Sequence, residues 1–590
     1  MSDTEVARDT PLKIEEADGM LIEWDVPVRM SDGNILHADV FRPTGSGPDA
    51  PVPIIMSMGP YGKNLRFQDP PFTGLWEQMC EKYPDVPAGS TNKYQVWEAV
   101  DPEKWVPDDY AIVRVDSRGA GRSEGFMSLY SERETQDFYE LIESFGEEAW
   151  SNGKVGLAGI SYYATNQWAV AALKPSHLAA ICPWEGSNSF YRETVYHGGI
   201  YTDFVEKWFP VQCGDIQYGL GSRGKKDRTT GMWVSGDVDL TDEELAANRL
   251  DIQPLLRGHH FDDEFFAERT PDLGKVTVPV LSCGNWGGQG LHNRGNVRGF
   301  MNVASEEKYL EMHGREHWTL FYTDWGVGLQ RRFFDWYLKG EGDWKETAAP
   351  VQLSVRYAGE KFVERAEQEF PLARTRWTEL YLDNGSAALT WDAPAEEQTA
   401  GYQAFGEGLE FRTPRFEQEM EITGPMAARL WIANSTEDTD LFLTLRLIDP
   451  DGQEVTWFGA NEPKAPLTLG WLRASHRKLD EEKSEPWMPY HPHQEKEPLT
   501  PGEIYQLDIE VWTASCVIEP GYQLALSVLG RDFDHGQGGV MSHLGIEMHG
   551  SGLWNHDIAE DRPAATYDSQ VTLYTGGDRA SRLLLPVIPK

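Results

Sequence analysis

One serine stands where a short apolar strand gives way to a predicted helix. Ser161 follows strand Val155–Ala158 and precedes helix Tyr162–Leu173, within residues 159–164, which read GISYYA. Such a strand-to-helix turn lifts a serine hydroxyl out of the sheet, and the helix amino terminus favours negative charge beside it. Gly159 suits the crowded backbone of the turn. The segment predicts a nucleophilic serine, although a tyrosine replaces the last glycine of G-x-S-x-G and Ser161 could instead only cap the helix.

The elements around this serine alternate between strands and helices. A hairpin, Leu21–Met30 with Ile35–Arg42, comes first. The further predicted strands are Pro51–Met58, Tyr110–Val115, Leu178–Cys182, Val278–Cys283 and Tyr309–His313, and the further predicted helices are Glu132–Phe145 and Leu329–Leu338. This alternation predicts an α/β fold with a mostly parallel sheet that helices cover on both faces.

The pattern changes twice along the chain. Between Gly186 and Lys275 the alternation stops, and the segment is aromatic, acidic and helix-prone, which favours a cap over the site or a second small domain. After about Pro350, short alternating strands recur between turn residues, as in an antiparallel jelly roll. The predicted division is 20–186 (hydrolase core, first part), 187–275 (helical cap), 276–348 (core, second part) and 349–590 (jelly-roll β-sandwich).

Composition excludes several classes of partner. The chain of 590 residues has a formal net charge of −41, which repels phosphate backbones and anionic membranes, so we expect neither nucleic acid nor membrane as a partner. Residues 1–20 contain no apolar core of a signal peptide, and no run of apolar residues is long enough to span a bilayer. Five scattered cysteines favour reduced thiols and a cytoplasmic location.

Several separated motifs together resemble those of the cocaine esterase-like hydrolases, which share their fold with X-Pro dipeptidyl-peptidases and α-amino acid ester hydrolases. The family's version of the nucleophile motif is G-x-S-Y, which fits Gly159–Tyr162. The other matching segments are 116–125 (DSRGAGRSEG), 59–61 (GPY), 331–340 (RRFFDWYLKG), 573–577 (LYTGG) and 584–587 (LLPV). The resemblance implies an α/β-hydrolase core with a helical cap and a C-terminal jelly roll, and cleavage of esters or amides without a cofactor or metal.

The resemblance also assigns the base and the oxyanion hole. His317 falls where the family has its catalytic histidine, and a histidine near neutrality can shuttle the serine proton. His313 is the alternative. The hydroxyl of Tyr61 is one expected oxyanion donor. The backbone N–H of Tyr162, next to the nucleophile, is the other, as the geometry of the turn requires.

The acid departs from the family pattern. The family carries Gly-Gly-Trp-x-Asp after the strand represented by Val278–Cys283, but here the aspartate position is Gly288, and no carboxylate occurs from Lys275 to Ser305. A triad needs a carboxylate that orients the imidazole. Glu185, at the end of the preceding strand, is the hypothesised replacement. The alternatives are that Glu185 pairs with a cap arginine, or that Ser161 and the base act as a dyad helped by Asn285 or by water.

The substrate is the least determined feature. Four aromatic residues are candidates for the substrate pocket: Trp184, Trp286, Trp208 and Phe209. The cap aromatics suggest an apolar acyl or aryl group, or they form the cap's own core: Trp208, Phe209, Tyr218 and Trp233. Acidic cap residues could bind a substrate amine or form a solvated face: Asp203, Glu206 and Asp215.

The sequence therefore predicts a serine hydrolase that acts on a small ester, amide or peptide through an acyl-enzyme. Three alternatives stay open: a dipeptidyl- or aminopeptidase, an acyltransferase, and an inactive protein whose jelly roll binds carbohydrate. A homo-oligomer is plausible from the resemblance.

Overall fold

Two large β-sheets, one in each half of the chain, form the framework. The computed structural model describes residues 6–70, 72–536, 540–541, 546–550 and 552–590. The strands of the first half are β1 (Ala7–Arg8), β2 (Lys13–Ala17), β3 (Met20–Arg29), β4 (Ile35–Pro43), β5 (Val52–Gly59), β6 (Ala111–Asp116), β7 (Ser151–Ile160), β8 (Leu178–Trp184), β9 (Tyr196–His197), β10 (Ile200–Tyr201), β11 (Val280–Asn285), β12 (Lys308–His313), β13 (Val351–Tyr357) and β14 (Lys361–Glu367).

The first sheet has the strand order β1-β3-β4-β6-β5-β7-β8-β11-β12-β13-β14, with β2 beside β3. From β6 to β13 all neighbours are parallel, whereas the hairpin β3–β4 and the outer strand β14 are antiparallel to their neighbours. Strands β5 and β6 are buried along their whole length because helices cover both faces, as the continuous apolar runs of parallel strands require. The α/β core is confirmed.

Short helices connect these strands. The α-helices are α1 (Thr73–Lys82), α2 (Pro102–Trp105), α3 (Glu132–Gly146), α4 (Tyr162–Ala172), α5 (Phe204–Gln212), α6 (Asp242–Ala247), α7 (Ile252–Gly258), α8 (Glu264–Ala267), α9 (Asn293–Asn302), α10 (Thr319–Tyr322), α11 (Asp324–Phe334), α12 (Trp344–Thr347) and α13 (Ala564–Tyr567). Four of them, α5 to α8, lie in the insertion between β8 and β11 together with the small hairpin β9–β10.

The second sheet is all-β. Its strands and the small pair β25–β26 are β15 (Arg376–Asp383), β16 (Ala388–Thr390), β17 (Gln398–Gln403), β18 (Leu409–Arg412), β19 (Met420–Asn434), β20 (Asp440–Ile448), β21 (Glu454–Val455), β22 (Thr468–Arg473), β23 (Ile504–Ile518), β24 (Gln523–Leu529), β25 (Val540–Met541), β26 (Ile546–Glu547), β27 (Gln570–Thr575) and β28 (Arg582–Ile588). Strand β28 pairs with both β15 and β19, so the pairings close into a ring around an apolar core.

The first sheet continues past residue 348, where the sequence analysis placed the start of the second half. Strand β13 pairs in parallel with β12, and β14 returns antiparallel to β13, so residues 351–367 extend the first sheet. The apolar alternation of β13 resembled that of the later strands, but its partner is the last parallel strand of the core. The four-part division and the jelly-roll topology stay predictions.

Two composition-based expectations concern cysteines and membranes. All five cysteine thiols are unpaired. Among the described residues, no helix is both long and apolar enough to cross a bilayer.

Candidate functional site

Ser161 occupies the turn between β7 and α4 with strained backbone angles, φ 57° and ψ −112°. A positive φ is uncommon for a residue with a side chain and marks a conformation that its surroundings enforce. Gly159 permits the turn, because a Cβ there would lie 2.4 Å from the Cβ of Tyr163. The backbone N–H of Ser161 donates to the carbonyls of both Trp184 and Glu185, each 3.1 Å away. The serine is therefore tied to the end of strand β8.

Glu185 lies at that strand end and contacts two histidines. Its Oε2 is 2.7 Å from His317 Nδ1, and its Oε1 is 3.0 Å from His313 Nε2. All three side chains are buried. Burial alone would raise the pKa of Glu185, but the adjacent His317 and His313 outweigh it and lower that pKa to about 2. Glu185 is thus an ionised carboxylate, held by histidines and not by a cap arginine.

His313 bridges two carboxylates, because its Nδ1 is also 2.6 Å from Glu311 Oε2. Burial opposes its charged form, yet Glu311 and Glu185 raise the pKa of His313 to about 10. Both ring nitrogens are occupied by carboxylates. An imidazolium so held has no free nitrogen with which to accept a serine proton, which disfavours His313 as the base.

His317 stands between Glu185 and a second carboxylate that sequence reasoning missed. Its Nε2 is 3.6 Å from Oε1 of Glu98, which also accepts a hydrogen bond of 2.9 Å from the indole N–H of Trp318. Burial lowers the pKa of His317, but Glu185 and Glu98 together raise it to about 9. Glu98 itself has φ 57°, and its carbonyl accepts the N–H of Ile160 next to the nucleophile. No sequence motif marked Glu98.

A second residue that sequence reasoning missed, His292, contacts the nucleophile directly. Its Nε2 is 3.2 Å from Ser161 Oγ, and its ring lies parallel to that of His317 with centroids 4.8 Å apart. Burial and the neighbouring His317 hold the pKa of His292 well below its usual range, so this imidazole is neutral. No sequence motif marked His292, although a histidine that follows a glycine-rich segment after a core strand was an available signal.

Tyr61 lies in the turn after β5, beside the nucleophile's helix. Its buried ring makes edge contacts with Tyr162, Tyr163 and Trp208, at centroid distances of 5.9, 5.6 and 6.1 Å. Burial raises the pKa of Tyr61 well above its usual value, so the hydroxyl keeps its proton and can donate. The backbone N–H of Tyr162 is in the first turn of α4, where helix N–H groups lack intrahelical acceptors.

A buried lysine holds the turn that carries Tyr61. Lys63 Nζ lies 3.1 Å from Asp25, 3.6 Å from Asp39 and 3.5 Å from Asp116. Asp116 also accepts the backbone N–H of Lys63 at 2.6 Å and that of Arg122 at 2.9 Å. The segment that begins at Asp116 thus anchors this turn.

The four predicted pocket residues separate into two groups. Trp208 and Phe209 lie on α5, and the Trp208 ring faces both Tyr61 and Tyr162. Trp184 and Trp286 are fully buried. Trp184 packs against His313 and Phe321, behind the acid, and the Trp286 indole donates to the carbonyl of Ser354 inside another apolar cluster. The rings of these two residues are enclosed by core side chains, which disfavours them as pocket walls, and the pocket assignment stays a prediction.

The acidic residues of the insertion already have partners. Glu206 pairs with Arg257 at 2.6 Å, Asp203 pairs with Lys207, and Asp215 lies 3.9 Å from Lys225. Each of these carboxylates therefore already has a basic partner, although Oδ1 of Asp203 is buried without a hydrogen bond among the described residues.

The C-terminal half supports the site from outside. The carbonyl of Ala460 accepts the N–H of His317 at 2.9 Å, and the N–H of Ala460 donates to Gly287 at 3.1 Å. The backbone of Ala460 therefore hydrogen-bonds to both the loop that carries His317 and the loop that precedes His292.

Glu185, His292 and His317 are also the described residues that could hold a metal ion, since one donor atom of each lies within 4.8 Å of the others. However, the Glu185 carboxylate is engaged by two histidine nitrogens at hydrogen-bond distance, which suits a proton-transfer set better than a ligand set. The expectation that the chain uses no metal and no cofactor stays a prediction.

Comparison with known proteins agrees with this arrangement. The profile of the X-Pro dipeptidyl-peptidase (S15 family) matches residues 32–319, and that of the X-Pro dipeptidyl-peptidase C-terminal non-catalytic domain matches residues 343–543. A solved CocE/NonD family hydrolase from Staphylococcus aureus is 32% identical with a TM-score of 0.82, over 97% of this chain and 94% of that chain.

Two further proteins are more distant. The cocaine esterase of Rhodococcus sp. is 24% identical over 89% of this chain and 94% of its own length. A solved α-amino acid ester hydrolase shares the fold, with 17% identity and a TM-score of 0.68 over 98% of each chain. The serine turn, the all-β second half and these matches over nearly the whole length agree with one another, and the chain belongs to the X-Pro dipeptidyl-peptidase (S15) family of serine hydrolases.

Proposed function

We propose that this chain hydrolyses a carboxylic ester or amide through an acyl-enzyme on Ser161, with His317 as base and Glu185 as the acid that orients it. The observation that carries the proposal is the 2.7 Å contact between His317 Nδ1 and the buried carboxylate of Glu185, whose strand end also binds the backbone N–H of Ser161. Glu185 therefore takes the role that an aspartate at position 288 would have filled.

The reaction proceeds in two steps. The Ser161 hydroxyl attacks the substrate carbonyl and passes its proton to His317 Nε2, which then gives it to the leaving group. Tyr61 and the Tyr162 amide hold the oxyanion, which they can do because buried donors fixed before the reaction stabilise developing charge. Water then attacks the acyl-enzyme, and the acid product leaves.

The substrate class that we propose is a small ester with an apolar acyl or aryl group. The aromatic wall of Trp208 beside Tyr61 and Tyr162 supports it. The pairing of the acidic insertion residues with basic side chains also supports it, since those carboxylates are partly neutralised. X-Pro dipeptidyl-peptidase activity is the second candidate, favoured by the match of both halves to that family.

Active-site labelling with a fluorophosphonate and intact-mass detection tests the nucleophile. We expect one adduct on the wild type and none on Ser161→Ala. Hydrolysis of p-nitrophenyl acetate compared with Gly-Pro-p-nitroanilide then separates the two candidates. Absence of an adduct on the folded wild type would refute the proposal and favour an inactive protein that binds carbohydrate.

We propose a jelly-roll topology for the second half and a cytoplasmic location, the latter supported by five unpaired thiols. We also propose a homo-oligomer, which rests only on the resemblance. The net charge of −41 supports the proposal that neither nucleic acid nor an anionic membrane is a partner. An acyltransferase would form product only when an alcohol or amine acceptor is added. The same assay run with and without such an acceptor tests this alternative.

A further inference from the structure

The side chain within hydrogen-bond distance of the Ser161 hydroxyl is one that the two-step reaction does not use. His292 Nε2 lies 3.2 Å from Ser161 Oγ, whereas His317 Nε2 faces Glu98 at 3.6 Å. The burial of His292 keeps its ring neutral, so one of its two nitrogens carries a proton and the other does not.

The surroundings of His292 indicate which nitrogen carries the proton. Its Nδ1 is buried and has no hydrogen-bond partner among the described residues. A buried N–H without an acceptor is rare in proteins, whereas an unprotonated nitrogen needs no acceptor and is less costly to leave unpaired. The proton therefore belongs on Nε2, which makes His292 a donor to Ser161 Oγ. The hydroxyl hydrogen of Ser161 stays free to point toward another acceptor.

The ring of His292 is held firmly in this position. It stacks on His317 at an interplanar angle of 8°, and the turn that precedes it is fixed by His197, whose Nε2 is 2.6 Å from the carbonyl of Gly290. The other nitrogen of His197 is 2.8 Å from His556 Nε2, and His556 Nδ1 is 3.0 Å from Asp532. A donor held this way needs little reorganisation when charge appears on its acceptor.

We propose that His292 is a further catalytic residue, which donates a hydrogen bond to Oγ of Ser161 and thereby assists the departure of this oxygen from the acyl group in deacylation. The inference rests on the proposed function, because it assigns a role in the second step of that reaction.

The bonds and protons of that step balance without a change in His292. Water adds to the acyl carbon and gives a proton to His317 Nε2. The intermediate then collapses: the bond from carbon to Oγ breaks, its electron pair stays on Oγ, and Oγ receives the proton from His317. The N–H of His292 remains on His292 throughout and stabilises the negative charge that builds on the departing oxygen.

The same hydrogen bond does not help acylation. A donor on the free hydroxyl draws electron density from the attacking oxygen, so its removal should leave attack on an electrophile nearly as fast or faster. Loss of His292 is therefore expected to slow deacylation selectively, which distinguishes this role from general support of the site.

Three variants test the inference: His292→Phe, His292→Gln and His292→Asn. Phenylalanine keeps the stacked ring without a donor. The amide nitrogen of glutamine reaches the position of Nε2, whereas that of asparagine corresponds to Nδ1. Each folded variant, the wild type and Ser161→Ala are first reacted with a fluorophosphonate, which only requires attack by Ser161. The same proteins are then reacted with p-nitrophenyl acetate, and burst kinetics and intact mass report how much acetyl-enzyme accumulates.

We expect the Phe and Asn variants to label with fluorophosphonate near the wild-type rate but to accumulate acetyl-enzyme, with turnover lower by about 10²-fold. The Gln variant should turn over without accumulation. Three outcomes would overturn the inference. The Gln and Asn variants could accumulate acetyl-enzyme equally, the Phe variant could turn over at the wild-type rate, or the Phe and Asn variants could lose fluorophosphonate labelling. If the Phe variant does not fold, the Gln and Asn pair decides. A wild type that takes no label would instead refute the proposed function.

Discussion

Glu185 Oε2 lies 2.7 Å from His317 Nδ1, with both side chains removed from solvent. A carboxylate in this position fixes the imidazole so that Nε2 is the nitrogen available for proton transfer, and it stabilises the imidazolium that forms. The residue at position 288 is glycine, and the acid that we propose lies instead at the end of the neighbouring parallel strand, which ends at the same edge of the sheet.

The first prediction concerns this contact. Glu185→Gln keeps the shape of the side chain but removes its charge, so His317 loses the group that orients it. We expect kcat to fall by about 10³–10⁴-fold while KM changes little, because orientation of the base matters mainly in the transition state. Steady-state kinetics with p-nitrophenyl acetate measure the effect.

Glu311→Gln is the matched control. Glu311 is equally buried and binds the other side of His313, but it has no contact with His317. It should retain kcat within about tenfold of wild type. If the Glu185 and Glu311 variants were equally active, the acid would have to be sought elsewhere.

The second prediction concerns pH. His317 must be neutral to accept a proton, and its pKa is raised to about 9, so kcat/KM should rise with pH through that range. Glu98→Gln removes a negative charge from beside Nε2. The imidazolium then becomes less stable, its pKa falls, and the ascending limb of the kcat/KM profile should move to lower pH.

A charge change elsewhere on the loop separates this local effect from a general one. Glu316→Gln is the control, because Glu316 is next to His317 in sequence but pairs with Lys82 and Tyr83 at the surface. Its profile should match that of wild type. A Glu98→Gln profile that does not move, or that moves to higher pH, would contradict the assigned electrostatics.

The two halves of the fold and the strand-to-helix turn around Ser161 could be predicted because they depend on local pattern. The apolar runs of β5 and β6 and the turn around Ser161 each follow from neighbouring residues. His317 required the family resemblance, since the sequence alone set it apart from His313 only by placing His313 at a predicted strand end. The structure separates the two histidines through their partners. Glu311 occupies the second nitrogen of His313, whereas Nε2 of His317 faces Glu98.

Glu98, His292 and the enclosed tryptophans could not be predicted for a common reason. The approach of Glu98 to His317 joins residues more than two hundred positions apart, and that of His292 to Ser161 spans 131 positions. Trp286 shows the reverse difficulty, because a large aromatic side chain after a core strand suits a pocket and a core equally well until its partner, the carbonyl of Ser354, is known.

The third prediction concerns stability. Lys63→Met leaves Asp25, Asp39 and Asp116 facing one another in the interior. Removal of one partner from a buried ionic group typically costs about 3–5 kcal/mol. We therefore expect a marked drop in the midpoint of thermal unfolding and a loss of esterase activity as the Tyr61 turn loosens. Calorimetry on Lys63→Met and on the exposed control Lys275→Met measures the difference. Equal midpoints would show that the aspartates do not need the lysine.

The last prediction concerns the oxyanion donor. Tyr61→Phe keeps the ring, and with it the edge contacts to Tyr162, Tyr163 and Trp208, but it removes the protonated hydroxyl. A single donor to the oxyanion is typically worth about 10²–10³-fold in kcat, and its loss should leave KM nearly unchanged because the substrate carbonyl carries little charge before attack.

Tyr163→Phe provides the comparison, since Tyr163 is a buried tyrosine in contact with the same ring. Its loss of a hydroxyl should alter kcat little if the effect at Tyr61 is specific to the oxyanion. Equal losses in both variants would indicate a packing defect. An unchanged kcat in Tyr61→Phe would leave the Tyr162 amide without this partner, and a second donor would have to come from another group near Ser161.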